Sequence, residues 1–70
     1  MIDKDKILSQ FGMRLKQARL NSNMSQEEMA LSIGFDRTYI SILERGKRNP
    51  SLFTICKIAD LLNINPKDLV

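Results

Sequence analysis

Residues 24–50 read Met24-Ser25-Gln26-Glu27-Glu28-Met29-Ala30-Leu31-Ser32-Ile33-Gly34-Phe35-Asp36-Arg37-Thr38-Tyr39-Ile40-Ser41-Ile42-Leu43-Glu44-Arg45-Gly46-Lys47-Arg48-Asn49-Pro50, and this stretch decides the fold. Ser25 followed three residues later by Glu28 fits a capping box: the hydroxyl takes the N3 amide and the carboxylate reaches back to the cap amide. Met24 before the cap and Met29 inside the first turn are spaced as a hydrophobic staple. Gly34 can adopt positive φ and stop the helix. Asp36 is the next N-cap, and Phe35 with Ile40 repeats the staple. Cap, short helix, glycine turn and second cap make a helix-turn-helix signature.

Working outward, the flanks read as helix too. Asp3 or Asp5 can cap a first helix in which Leu8, Phe11, Leu15 and Ala18 recur at spacings of three, four and three. Gly12 weakens that helix slightly by its intrinsic propensity, and Asn21-Ser22-Asn23 ends it. Helix two presents Met29, Ala30 and Ile33 inward. Helix three presents Ile40 and Leu43 and leaves Arg37, Thr38, Ser41 and Arg45 free. Gly46 is a C-cap, and Ser51 after Pro50 starts a fourth helix. Asn65 before Pro66 caps a fifth. The expected spans are about 5–20, 26–33, 37–45, 52–62 and 66–70 in a single domain, and no strand pattern survives the helical one. The fold class is all-α.

Seventy residues make a small domain with a core near the lower limit of self-sufficiency. One cysteine and no histidine exclude an internal disulfide and argue against a zinc site. Helix packing or dimerisation must supply the stability, and no cofactor or metal is expected. Cys56, in an apolar run, is expected as a buried packing thiol; a reactive role is the alternative. No apolar stretch is long enough for a membrane span and no signal-peptide core is visible, which fits a cytoplasmic protein.

The net charge of +3 is modest, so its distribution matters more. Residues 37–48 carry four bases and one acid, whereas residues 25–36 carry three acids and no base. Residues 1–23 carry five bases and two acids, and the tail from Asn49 is neutral. Positive charge is thus concentrated where the motif would meet a polyanion.

Ser25-Gln26-Glu27-Glu28-Met29-Ala30, Gly34, Tyr39-Ile40-Ser41 and Leu43-Glu44-Arg45-Gly46-Lys47-Arg48-Asn49-Pro50 resemble the Cro/C1-type (XRE) helix-turn-helix family of DNA-binding regulators. The resemblance extends from about Phe11 to Leu62. The short chain and the segment from Phe35 to Ser41 look most like controller proteins of restriction-modification systems. The resemblance implies a compact five-helix, lambda-repressor-like domain and double-stranded DNA as partner. It implies a phosphate or outer-base contact for Gln26, and a structural ion pair between Arg19 and Glu44, so that Glu44 is not catalytic. It also implies repressor, activator or dual regulation, with RNA polymerase as a further partner.

In such a motif the second helix enters the major groove with its N-terminal residues at base edges. Arg37, Thr38 and Ser41 occupy that position. Arginine can bond guanine in bidentate fashion, and threonine offers a hydroxyl and a methyl. Arg37 could instead meet phosphate or pair with Asp36. Tyr39 could bond phosphate, pack on a sugar or cover the core. Arg45, Lys47, Arg48 and Asn49 form a basic turn suited to phosphate.

The fourth helix carries more apolar residues than one stripe needs, so something beyond its own core must cover it. Phe53, Leu61, Ile64, Leu69 and Val70 supply a dimer interface on this reading; the alternative is that they complete the core. The function expected is a sequence-specific, homodimeric transcriptional regulator on pseudo-palindromic operators. The alternative is a protein-interaction module such as an antitoxin-like partner, which would not need the basic cluster. With no histidine and no identifiable acid pair, an enzyme is poorly supported.

Overall fold

Every helix begins on a side chain that the sequence marks as a cap. The computed structural model describes residues 1–70, and its helices are α1 (Lys4–Asn21), α2 (Gln26–Ile33), α3 (Arg37–Glu44) and α4 (Leu52–Leu62), followed by a 3-10 turn at Pro66–Asp68. All four lie within one residue of the spans read from the sequence. Asp3 accepts the Lys6 N–H at 3.2 Å and so caps α1. The Ser25 hydroxyl accepts the Glu28 N–H at 3.0 Å, and the Glu28 carboxylate accepts the Ser25 N–H at 2.9 Å. That backbone hydrogen bond from Ser25, aided by the hydroxyl, holds the Glu28 carboxyl below its ordinary range. Asp36 accepts the Thr38 N–H at 2.7 Å and Ser51 accepts the Thr54 N–H at 3.1 Å.

The helices also end alike. Asn23, Gly34, Gly46 and Asn63 all have positive φ, between 56° and 73°. After each, an N–H reaches back across six residues: Met24 to the Arg19 carbonyl, Phe35 to Ala30, Lys47 to Ile42 and Ile64 to Ala59, at 2.9–3.2 Å. These are Schellman closures, which glycine adopts freely and asparagine tolerates.

The fifth helix expected over 66–70 is not formed as such. Only Pro66–Asp68 turns, through the Asp68 N–H to the Asn65 carbonyl at 2.9 Å and the Leu69 N–H to the Pro66 carbonyl at 3.0 Å. Asn65 and Asp68 cap one another reciprocally, so the cap closes within one tight turn. Leu69 then drops into the core, fully buried.

That core joins Phe11 and Leu15 of α1, Met29, Ala30 and Ile33 of α2, Ile40 and Leu43 of α3, and Ile58, Ala59 and Leu62 of α4, with Leu69. Leu69 therefore completes the protomer and offers no surface to a partner, a correction to its expected place in a dimer interface. Cys56 is a second correction: it is exposed. Because α4 turns Ile58, Ala59 and Leu62 inward, Leu52, Phe53 and Cys56, three and four residues apart, fall on the outer side. No helix is long and apolar enough to cross a membrane.

Gly12 has a packing role that helix propensity hides. A Cβ there would stand 2.7 Å from the Leu43 carbonyl oxygen and closer still to that of Glu44. Its absence lets the backbone of α1 rest directly on the last turn of α3.

Candidate nucleic-acid interface

The short turn between α2 and α3 sets their N-terminal ends beside one shallow depression lined by Gln26, Arg37, Thr38 and Ser41. These are the first residue of α2 and the first two, plus one a turn later, of α3. The three residues expected to read bases and the α2 residue expected to touch phosphate or an outer base are thus brought together. Arg37 and Thr38 are exposed, and Gln26 and Ser41 are half-buried. Arg37 does not pair with Asp36: the only ion pair between side chains is that of Arg19 with Glu44. Asp36 is occupied as the cap of α3, which leaves the Arg37 guanidinium free for a ligand.

Beneath the depression lies that ion pair. Arg19 Nε donates to Glu44 Oε2 at 2.6 Å and Nη2 to Oε1 at 3.1 Å, a two-pronged contact between side chains only 7% and 4% exposed. Arg19 Nη1 donates to the Met24 carbonyl at 2.7 Å, which ties the end of α1 to the start of α2. Donating hydrogen bonds to the Glu44 carboxylate raises the Arg19 pKa above its ordinary value against the opposing effect of burial. No buried side-chain nitrogen or oxygen is left unpartnered.

Gln26 joins this network, a contact that the sequence did not reveal. Its Nε2 donates to Glu44 Oε1 at 3.1 Å. A carboxylate only accepts, so the bond fixes which end of the amide faces inward. The carbonyl end and one remaining N–H are left for the depression. Detecting this from sequence would have required knowing that the start of α2 lies over the end of α3.

The basic turn follows α3. Arg45 is exposed, its Nε donating to the Ser41 carbonyl at 3.4 Å, and Lys47, Arg48 and Asn49 are exposed as well. Tyr39 is half-buried and meets Phe35 edge-to-face, with centroids 5.1 Å apart and planes at 86°. The Arg48 guanidinium lies 5.9 Å from the Tyr39 ring centroid, so Tyr39 both covers the core and links α3 to the turn. Lys57 sits 5.2 Å from the Phe35 ring centroid, a cation–π contact not anticipated from sequence.

The candidate dimer residues divide. Phe53 is three-quarters exposed, Val70 is exposed, and Leu61 and Ile64 are half-buried. Phe53 lies at the start of α4 and Leu61 near its end, so the two do not form one compact patch by themselves.

A family model described as helix-turn-helix (HTH_3) matches residues 15–69. The control protein C.BamHI of Bacillus amyloliquefaciens is 52% identical over 61 residues, covering 86% of this chain and 75% of that one. The crystal structure of the restriction-modification controller protein C.AhdI from Aeromonas hydrophila superposes with a TM-score of 0.85 at 44% identity, over 90% of this chain and 96% of that one. The controller protein C.Esp1396I, solved as a tetramer in complex with its natural 35 base-pair operator, superposes with a TM-score of 0.79 at 33% identity, over 90% and 83% of the two chains. With most of its length inside the matched span and the capped α2–turn–α3 unit at its centre, the chain belongs to the XRE-type helix-turn-helix family.

Proposed function

We propose that this protein is a sequence-specific regulator of transcription that binds double-stranded DNA as a homodimer on pseudo-palindromic operators, and that it serves as the controller of a restriction-modification system. The observation that carries this reading is the depression of Gln26, Arg37, Thr38 and Ser41, with a free guanidinium at the N-terminus of α3 and a basic turn beyond it. The likeness to control proteins supports the controller role, and the operator complex of C.Esp1396I supports duplex DNA as the partner.

Arg37, Thr38 and Ser41 read base edges in the major groove. Gln26, Tyr39, Arg45, Lys47, Arg48 and Asn49 hold phosphates on either side. One short helix reads few bases, and a two-fold dimer doubles both the area and the sequence read. Phe53, Leu61, Ile64 and Val70, with the outward Leu52, supply apolar surface for that dimer. An activating role would add a contact between the DNA-bound dimer and RNA polymerase. The activity is binding in the cytoplasm rather than catalysis, in keeping with the family.

The test is selection of purified protein on random duplex DNA at two salt concentrations. Enrichment of a two-fold-symmetric site, with half-site centres about 34 Å apart, is the expected outcome, with preference lost at one position per half-site in Arg37→Ala. Binding that yields no motif and disappears with salt would overturn the reading.

A further inference from the structure

We propose that α1 extends the phosphate contact of the basic turn, and that the groove between the first two turns of α1 and that basic turn seats a phosphate of the duplex backbone. Lys4 and Ser9 there join Lys47, Arg48 and Asn49. The groove is lined by these five side chains and Asp5, over a floor of Leu8 and Gly46. The inference rests on the DNA-binding reading above and adds to it a contact made by α1.

Two features of the chain build the groove. Lys4 stands four residues before Leu8, so it continues the buried stripe of α1 one turn past the edge of the core. It therefore emerges beside the turn that follows α3, exposed but lining the groove. Gly46 brings that turn in: a Cβ at this position would lie 2.8 Å from Ser9 Cα, and φ is +72°. Any other residue would push the turn away from α1, and the groove would open.

The charge of the groove is unbalanced. Lys4, Lys47 and Arg48 converge from two segments far apart in sequence, and none forms an ion pair. Asp5 offsets part of this and leaves two net positive charges, with the Ser9 hydroxyl and the Asn49 amide as uncharged donors. The two net positive charges are enough to hold the single charge of a phosphodiester, which meets less repulsion from Asp5 than a dianion would. Position selects the duplex as its source. Arg48, which lines the groove, also comes within 5.9 Å of the Tyr39 ring centroid, so one side chain links the groove to the helix that carries Arg37 and Thr38.

The experiment compares Lys4→Gln with Lys6→Gln in operator binding over a series of salt concentrations. Lys6 lies two residues on, on the opposite side of the same helical turn, so it carries the same charge without lining the groove. Lys4→Gln is expected to reduce the slope of log affinity against log salt by about one unit, with unchanged base preference. Lys6→Gln is expected to keep the slope of the unsubstituted protein. Both side chains are exposed, and circular dichroism will report a native fold for each. Equal slopes in the two variants would overturn the groove while leaving the DNA-binding reading intact. Failure of the unsubstituted protein to bind any duplex at low salt would overturn both. Inorganic phosphate shifting the Ser9 and Lys47 amide resonances, while the operator does not, would overturn the duplex as the source of the anion.

Discussion

Glu44 accepts from two guanidinium nitrogens of Arg19 and from the Gln26 amide, so one buried carboxylate serves both the core and the depression between α2 and α3. Its energetics are asymmetric. A buried pair offsets its own desolvation cost only while both partners are present. Arg19→Ala is expected to lower stability by about 3–5 kcal/mol, because it strands the Glu44 charge. Replacing both partners with apolar residues, Arg19→Met with Glu44→Leu, should restore most of that stability yet weaken operator binding, because Gln26 loses its anchor. Urea denaturation and DNA titration of the two variants check this. A double variant as unstable as the single one would mean that the loss comes from packing rather than from the stranded charge.

At the scale of the element, α1 shows why a local rule can mislead. Replacing an exposed helical glycine with alanine normally stabilises by up to about 1 kcal/mol. At Gly12 the added methyl would meet the carbonyls of Leu43 and Glu44, and these belong to backbone that cannot swing aside. Overpacking of this kind costs about 1–3 kcal/mol. Gly12→Ala is therefore expected to lower the melting temperature, and a rise would mean that α1 moves off α3 cheaply. In α4 the same limit works in reverse. The sequence shows apolar residues on nearly every side, and only packing chooses which face is inward. Cys56, assigned to the core by residue type, falls outside because Ile58, Ala59 and Leu62 already fill it.

The whole molecule measures about 36 × 24 × 20 Å and leaves Leu52 and Phe53 each 75% exposed. A chain this small buries a limited share of its surface and gains much from a partner copy. Phe53→Glu places a charge on that apolar stripe without touching the core. It is expected to yield a folded monomer by sedimentation equilibrium and to weaken operator binding by about tenfold or more, since each tenfold step is about 1.4 kcal/mol. A variant that stays dimeric would move the interface elsewhere, towards Leu61, Ile64 and Val70. Leu69 is no longer a candidate, because the core of the protomer already covers it.

By itself the sequence determined the four helices, their caps and their stops. Those are set by neighbours within about six residues: Ser25 with Glu28, Asp36 with Thr38, Gly34 and Gly46 at positive φ. It also placed Arg37, Thr38 and Ser41 on the free side of α3, because helical periodicity alone separates them from Ile40 and Leu43. What it could not determine depends on which elements meet. The bond from Gln26 to Glu44, the approach of Gly12 to α3, the seating of Gly46 on Ser9 and the burial of Leu69 all join residues from different elements. Local spacing carries no record of such contacts; only the tertiary packing decides them, since a side chain's surroundings are fixed when the helices close on one another.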